Sequence, residues 1–250
     1  MKRIISIAIY ISVIVFILAS CASEIIPTQK INQINALQAK QQIINSFDPY
    51  GLMGTGVNDF YRHGYFIYAL AKHGILETND VTNFCVNLER VKQHDGFYRR
   101  PDINDYMTRD DYILAALGLD ASKRVHPCAK ELLDYMYEHR KLEKDIWGFH
   151  HNLYFARLVE KPITGKLIDI ELFSFAPLIC RGPKENTSDK LLFMALLLKA
   201  NDTDNPSYFA ERAINFCRKE VDFNYSVDYY YCGGQLGCKH PLAELLKGIL

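Results

Sequence analysis

The chain has 250 residues, with 29 basic and 29 acidic side chains, and no long basic run. That balance argues against a nucleic-acid partner, which needs clustered lysine and arginine to meet the phosphates. With 16 Tyr and 14 Phe but one Trp, the aromatic content suits both a packed core and hydrogen-bonding, stacking surfaces.

Lys2 and Arg3 make a short positive start. Ile4 to Leu18 is an apolar run interrupted by Ser6 and Ser12, and Leu18-Ala19-Ser20-Cys21 follows it. The run is shorter than the roughly 20 residues a membrane-spanning helix needs and fits an export signal. At that place Leu18-Ala19-Ser20-Cys21 resembles the lipobox of bacterial lipoproteins. The resemblance implies that residues 1–20 are a signal peptide and that Cys21 becomes the N-terminus, acylated by palmitate-type chains. The membrane would be reached through that lipid anchor. An ordinary cleaved signal with a chance cysteine is the alternative. Ala22, not an Asp, follows the cysteine, which resembles Gram-negative lipoproteins sent to the outer membrane. The expected address is therefore the cell envelope, at the outer rather than the inner membrane, facing the periplasm or the surface. Residues 21–28, with Pro27, read as a tether. Residues 29–250, with neither a linker nor a low-complexity tract, read as one helical domain.

Gln29 to Phe47 has the helical period, with Ile31, Ile34, Leu37, Ile44 and Phe47 on one side. A turn-rich connection, 48–56, leads to a buried helix over 57–75 carrying Phe60, Ile67 and Leu70. His63 and His73 have no partner at metal-ligand spacing and read as structural. Asp80 is expected to cap a helix whose inner side is Val81, Phe84, Cys85, Leu88 and Val91.

The stretch from His94 to Leu119 carries the densest set of reactive side chains. Asp95-Gly96 is a turn signal and Pro101 keeps Arg100 out of the α region, so 94–107 reads as a loop. Thr108 with Asp111 three residues on, ahead of Tyr112, Ile113, Leu114 and Leu117, has the layout of a capped helix start. The helix is expected over 109–117, with Gly118 in the left-handed position beyond it.

Further along, Pro127 to Arg140 reads as a helix with Leu132, Leu133 and Met136 inward. Residues 145–151 form an aromatic loop, and 153–159 a helix. Ile168 to Cys180, with Pro177 inside, reads as a kinked or short helix. Residues 186–200 form a helix capped by Thr187 or Ser188, and Pro206 opens another that runs to 221. Residues 224–238 read as irregular or a short strand, and Pro241 starts a last helix.

The fold class expected from about nine such segments is all-α, an array of helical hairpins. Three glycine motifs lie between helices: Asp95-Gly96-Phe97-Tyr98, Trp147-Gly148-Phe149-His150 and Cys232-Gly233-Gly234. Gly-Phe turns ahead of helices resemble those of α/α toroids, the helical-hairpin barrels of glycan hydrolases, polysaccharide lyases and prenyl transferases. The matching stretches are short. An incomplete toroid and an irregular helical array both fit the length.

Beyond Cys21 there are six cysteines, an even number that permits three disulfides in an oxidising compartment. Cys232 and Cys238 are the expected pair, closing a small glycine-rich loop. Cys85, Cys128, Cys180 and Cys217 are either paired or free buried thiols. A zinc site with His240 matches no standard ligand pattern, so neither a metal nor a cofactor is expected.

Three functions fit. One is a cell-envelope lipoprotein that binds a glycan or another polar ligand, with Tyr98, Arg99, Arg109, Asp110, Trp147 and His150 as candidate contacts. Arginine forks, carboxylates and flat aromatic rings are what a sugar or an acidic group needs. The second is a glycan-active hydrolase or lyase on the same scaffold, drawing on Asp95, Asp110, Asp111, Tyr98 or His150. The third is a structural or assembly lipoprotein that docks on an envelope protein and has no small-molecule site.

Overall fold

Two glycines let the central pair of helices touch backbone to backbone. In the computed structural model, α2 (Asp59–Lys72) and α4 (Arg109–Ser122) form the most extensive interface between elements among the described residues. A Cβ on Gly64 of α2 would stand 2.1 Å from the Leu114 carbonyl oxygen of α4, and one on Gly118 would stand 3.0 Å from the Gly64 carbonyl oxygen. Only residues without side chains permit that approach. Around this crossing Tyr65 to Leu70 and Ile113 to Leu117 are buried without a break, the pattern of helices that are apolar all round.

The structure describes residues 35–47, 59–94, 96–100, 103–107, 109–139, 165–201, 208–233 and 239–250. Among them the chain is all-α with one small sheet. Besides α2 and α4 the helices are α1 (35–45), α3 (Thr78–Val91), α5 (Pro127–Glu138), α6 (Gly165–Cys180), α7 (Thr187–Asn201), α8 (Tyr208–Glu220), α9 (Phe223–Cys232) and α10 (Pro241–Leu246). The sheet has three strands in the order β1 (Lys92–Gln93), β2 (Gly96–Arg100), β3 (Ile103–Tyr106). The aromatic loop at 145–151 and the helix expected over 153–159 lie outside the described residues.

Several expectations need correction. Helix α4 does not stop at Leu117, and Gly118 is not its left-handed terminus. The helix continues to Ser122 because Gly118 serves the crossing and the polar residues after it are satisfied inside the fold. Ser122 Oγ donates to the carbonyls of Gly118 and Leu119 at 2.9 and 3.1 Å. Buried Asp120 pairs with Lys123 at 3.0 Å and with Lys199 of α7 at 2.7 Å.

On α1 the inward stripe is Ala36, Ala39, Lys40 and Ile43, while Leu37, expected inside, is 47% exposed. The stripe was hidden because a lysine occupies it. Lys40 Nζ donates to Asp80 at 2.6 Å, to Glu77 at 2.9 Å and to the Ile75 carbonyl at 3.3 Å. Burial alone would lower the Lys40 pKa, but the hydrogen bonds and charges of Asp80 and Glu77 outweigh it and leave the pKa raised. Asp80 is not the N-cap of α3. Glu77 holds that position, and Asp80 at the third helical position accepts the Glu77 backbone N–H at 2.9 Å.

Helix α9 replaces the irregular or strand-like segment expected at 224–232. Asp222 caps it by accepting the Tyr225 N–H at 3.1 Å, and Phe223, Ser226 and Val227 form its buried side. Helical spacing of buried positions and a cap override the strand propensity of its tyrosines. Helix α6 is not short either; its 16 residues run through Pro177.

Disulfides staple both halves. Cys85–Cys128 joins α3 to the first turn of α5, and Cys180–Cys217 joins the end of α6 to α8. Of the two earlier alternatives for these four cysteines, pairing holds. At the C-terminal end, α10 packs on α2, where His73 Nε2 donates to the Leu245 carbonyl at 2.8 Å. No helix among the described residues is long and apolar enough to cross a membrane.

Candidate functional site

The segment expected to be a loop before α4 is a β-hairpin. Gly96 (φ +146°) pairs with Gln93, so β1 turns back tightly into β2 through a conformation that favours glycine. Strand β2 then pairs with β3, Tyr98 opposite Tyr106 and Arg100 opposite Ile103, with an irregularity between Tyr98 and Arg100. Strand β2 ends at Arg100, and Pro101, read as a loop signal, lies outside the described residues. The hairpin is held because Phe97 is 1% exposed and packs against Tyr112 of α4 and Tyr135 of α5, ring centroids 5.8 and 5.6 Å apart.

This arrangement brings four of the expected contacts to adjoining elements. Tyr98 and Arg99 are on β2, while Arg109 and Asp110 form the first turn of α4, which follows β3 after two residues. The side chains of these four fall outside the described residues, as do Trp147, His150, Cys21 and Cys238 altogether. Asp95 lies outside as well. Asp111, one of the carboxylates considered for an enzyme, is 1% exposed in the first turn of α4 and is part of the interior. Cys232 is disulfide-bonded, and its partner lies outside the described residues.

The same end of the molecule carries an aromatic cluster not recognised from the sequence. The ring of Tyr135 stacks on His139 at 3.9 Å and 18°, and Lys92 Nζ sits 4.3 Å from the Tyr135 ring centre. Tyr135 Oη donates to the Gln93 carbonyl at 2.6 Å, and Tyr112 Oη to the Met136 carbonyl at 3.1 Å. His139 Nδ1 donates to the Tyr135 carbonyl at 2.9 Å. His139, Lys92 and Phe97 all lie against the Tyr135 ring, which makes a half-buried cation–aromatic cluster beside the hairpin. The available signal was Tyr135 and His139 four apart at a helix end.

A second cluster joins α9 and α10. Tyr231 stacks on His240 at 5.2 Å and 28° and meets Tyr230 edge-on at 4.9 Å. Burial, then the neighbouring Tyr230, pushes the Tyr231 phenol well above its ordinary pKa, against the pull of Arg62. Burial also lowers His240, and Arg62 lowers it further. His240 Nδ1 is occupied as a helix cap, accepting the Leu242 N–H at 3.2 Å. No group of three metal-ligating side chains occurs among the described residues.

His63 is structural, as expected. It is 1% exposed among Phe47, Phe66 and Phe84, with ring centroids 5.3, 6.0 and 4.8 Å away, and burial lowers its pKa to about 3. Comparison with known protein families, with characterised proteins and with solved structures finds no match to this chain.

Proposed function

We propose that this protein is an envelope lipoprotein, anchored through acylated Cys21 at the outer membrane, whose helical body binds a glycan or similar polar ligand at the hairpin end. The anchor rests on the apolar leader running straight into Leu18-Ala19-Ser20-Cys21. The two disulfides between separate helices support export, because such bonds persist in oxidising compartments.

The observation that carries the ligand reading is that Tyr98 and Arg99 lie on β2 and Arg109 and Asp110 in the first turn of α4, two adjoining elements, with the Tyr135–His139 stack packed against Phe97 of β2. Arginine forks orient hydroxyls or acidic groups, and aromatic faces supply the stacking area. Binding is the favoured role, since the buried position of Asp111 removes one of the carboxylates a hydrolytic pair would use.

The test is a glycan array probed with wild type and with Arg99→Ala, Arg109→Ala and Asp110→Asn, followed by product analysis of any glycan bound. A hit that weakens about tenfold or more in the arginine variants, without product, supports the reading. Equal binding by all variants, or none by wild type, removes it. Product formed by wild type and lost in Asp110→Asn would make the protein an enzyme.

A further inference from the structure

The two described disulfides differ in their access to solvent. Cys180 and Cys217 are 2% and 0% exposed, sealed between α6 and α8. Cys85–Cys128 instead lines an open groove of 430 Å³, whose other walls include Val86, Glu89, Arg90 and His126. Cys85 is 4% exposed, but Cys128 is only half-buried, and Val86 beside them is 44% exposed. The groove is mostly apolar, with the charged Glu89 and Arg90 both on its walls.

We propose that Cys85–Cys128 is an exchangeable disulfide, opened and closed by a dithiol that enters this groove, while Cys180–Cys217 is a permanent staple. Attack falls on the more exposed of the two cysteines. A thiolate of the dithiol bonds to Cys128 Sγ, and the Cys85–Cys128 bond breaks with its electron pair going to Cys85 Sγ, which takes a proton from water. The second thiolate of the dithiol then attacks the donor sulfur of the mixed disulfide and releases Cys128 as a thiolate. The dithiol is oxidised by two electrons and the protein gains two thiols; the reverse sequence closes the bond. Cys128 is a favourable site for the released thiolate because, as the second residue of α5, it stands at the positive end of the helix dipole.

Opening the bond removes the covalent tie between α5 and α3 and leaves their packing to hold them. Helix α5 also carries Tyr135, which is tied to β1 through the Gln93 carbonyl and to β2 through Phe97. The thiol state is thereby transmitted to the hairpin. Exchange at Cys85–Cys128 does not depend on what the hairpin binds.

The experiment uses the oxidised full-length protein, exposed to graded dithiothreitol below the concentration that unfolds it. Free thiols are alkylated and mapped by peptide mass spectrometry, and circular dichroism monitors the fold. Cys85 and Cys128 should be labelled at least about tenfold faster than Cys180 and Cys217, with helicity retained. Glutathione in place of dithiothreitol should leave its adduct on Cys128 rather than Cys85. Amide exchange in α5 and the hairpin should quicken on this partial reduction. Opening of both disulfides together, opening of Cys180–Cys217 first, resistance of Cys85–Cys128 until global unfolding, or unchanged exchange in α5 would each overturn the proposal. In Cys128→Ser, the remaining Cys85 thiol should react with a disulfide reagent about tenfold more slowly than Cys128 does in Cys85→Ser.

Discussion

Acid should destabilise this protein through a single buried histidine, and the size of the effect can be worked out from its surroundings. His63 is 1% exposed in a cage of three phenylalanine rings, and no acceptor for its Nδ1 is present among the described residues. The folded chain keeps it neutral until about pH 3, whereas the unfolded chain protonates it near 6.5. Above pH 6.5 both states are neutral and the group adds no pH dependence. Below 6.5 the unfolded state binds a proton that the folded state refuses, so stability falls as pH drops toward 3. The gap corresponds to about 5 kcal/mol in full, of which about 3 kcal/mol is lost by pH 4.5. The perturbation is His63→Leu, close in volume and unable to titrate. Denaturant unfolding followed by far-ultraviolet circular dichroism, at pH 7.5 and pH 4.5 with disulfides intact, gives the two stabilities. All other titrating groups are common to both proteins, so the wild type should lose about 3 kcal/mol more than the variant between those conditions. Equal losses would refute the claim that His63 is held neutral in an apolar cage.

Three further substitutions probe the scaffold. Gly64→Ala forces a Cβ to within 2.1 Å of a backbone oxygen of α4. It should cost more than about 3 kcal/mol by thermal or urea unfolding; a loss under about 1 kcal/mol would mean that the two helices do not meet there. Lys40→Met strands the buried Asp80 carboxylate without its cation and should cost about 3 kcal/mol, measured the same way; unchanged stability would show the pair to be dispensable. Replacing Cys180 and Cys217 together by alanine releases a loop closed over 37 residues and should cost about 4 kcal/mol in urea unfolding through the entropy of the unfolded chain. A cost near zero would mean that the staple does not constrain that ensemble.

Much of the fold was legible where apolar periodicity and end signals agree. Pro127 with Leu132, Leu133 and Met136 marked α5, and Val81, Phe84, Leu88 and Val91 marked α3, because in each the buried stripe is mostly apolar and repeats at helical spacing. The misses share a cause, which is a residue doing in tertiary context what its type does not advertise. Lys40 occupies a core stripe because two carboxylates 37 and 40 residues away meet it. Gly118 sits in mid-helix because another backbone passes beside it. The hairpin escaped notice because Phe97 is the core anchor of β2, while the polar and charged residues around it have loop-like composition. Cysteine partners cannot be read from positions along separate helices. Of the candidate contacts, Tyr98, Arg99, Arg109 and Asp110 were legible as one polar stretch of the chain, and the structure puts them on β2 and in the first turn of α4. The Tyr135–His139 stack was not, since its place beside the hairpin depends on how α5 docks.

The claim beneath the functional account is that acylated Cys21 anchors the protein in the envelope. Intact-mass and N-terminal peptide mass spectrometry of protein purified with detergent from its native membranes tests it most directly. The account predicts a chain that begins at Cys21 and bears fatty acyl mass on that residue, with residues 1–20 gone. A chain that keeps Met1, or that starts at an unmodified residue elsewhere, would contradict it.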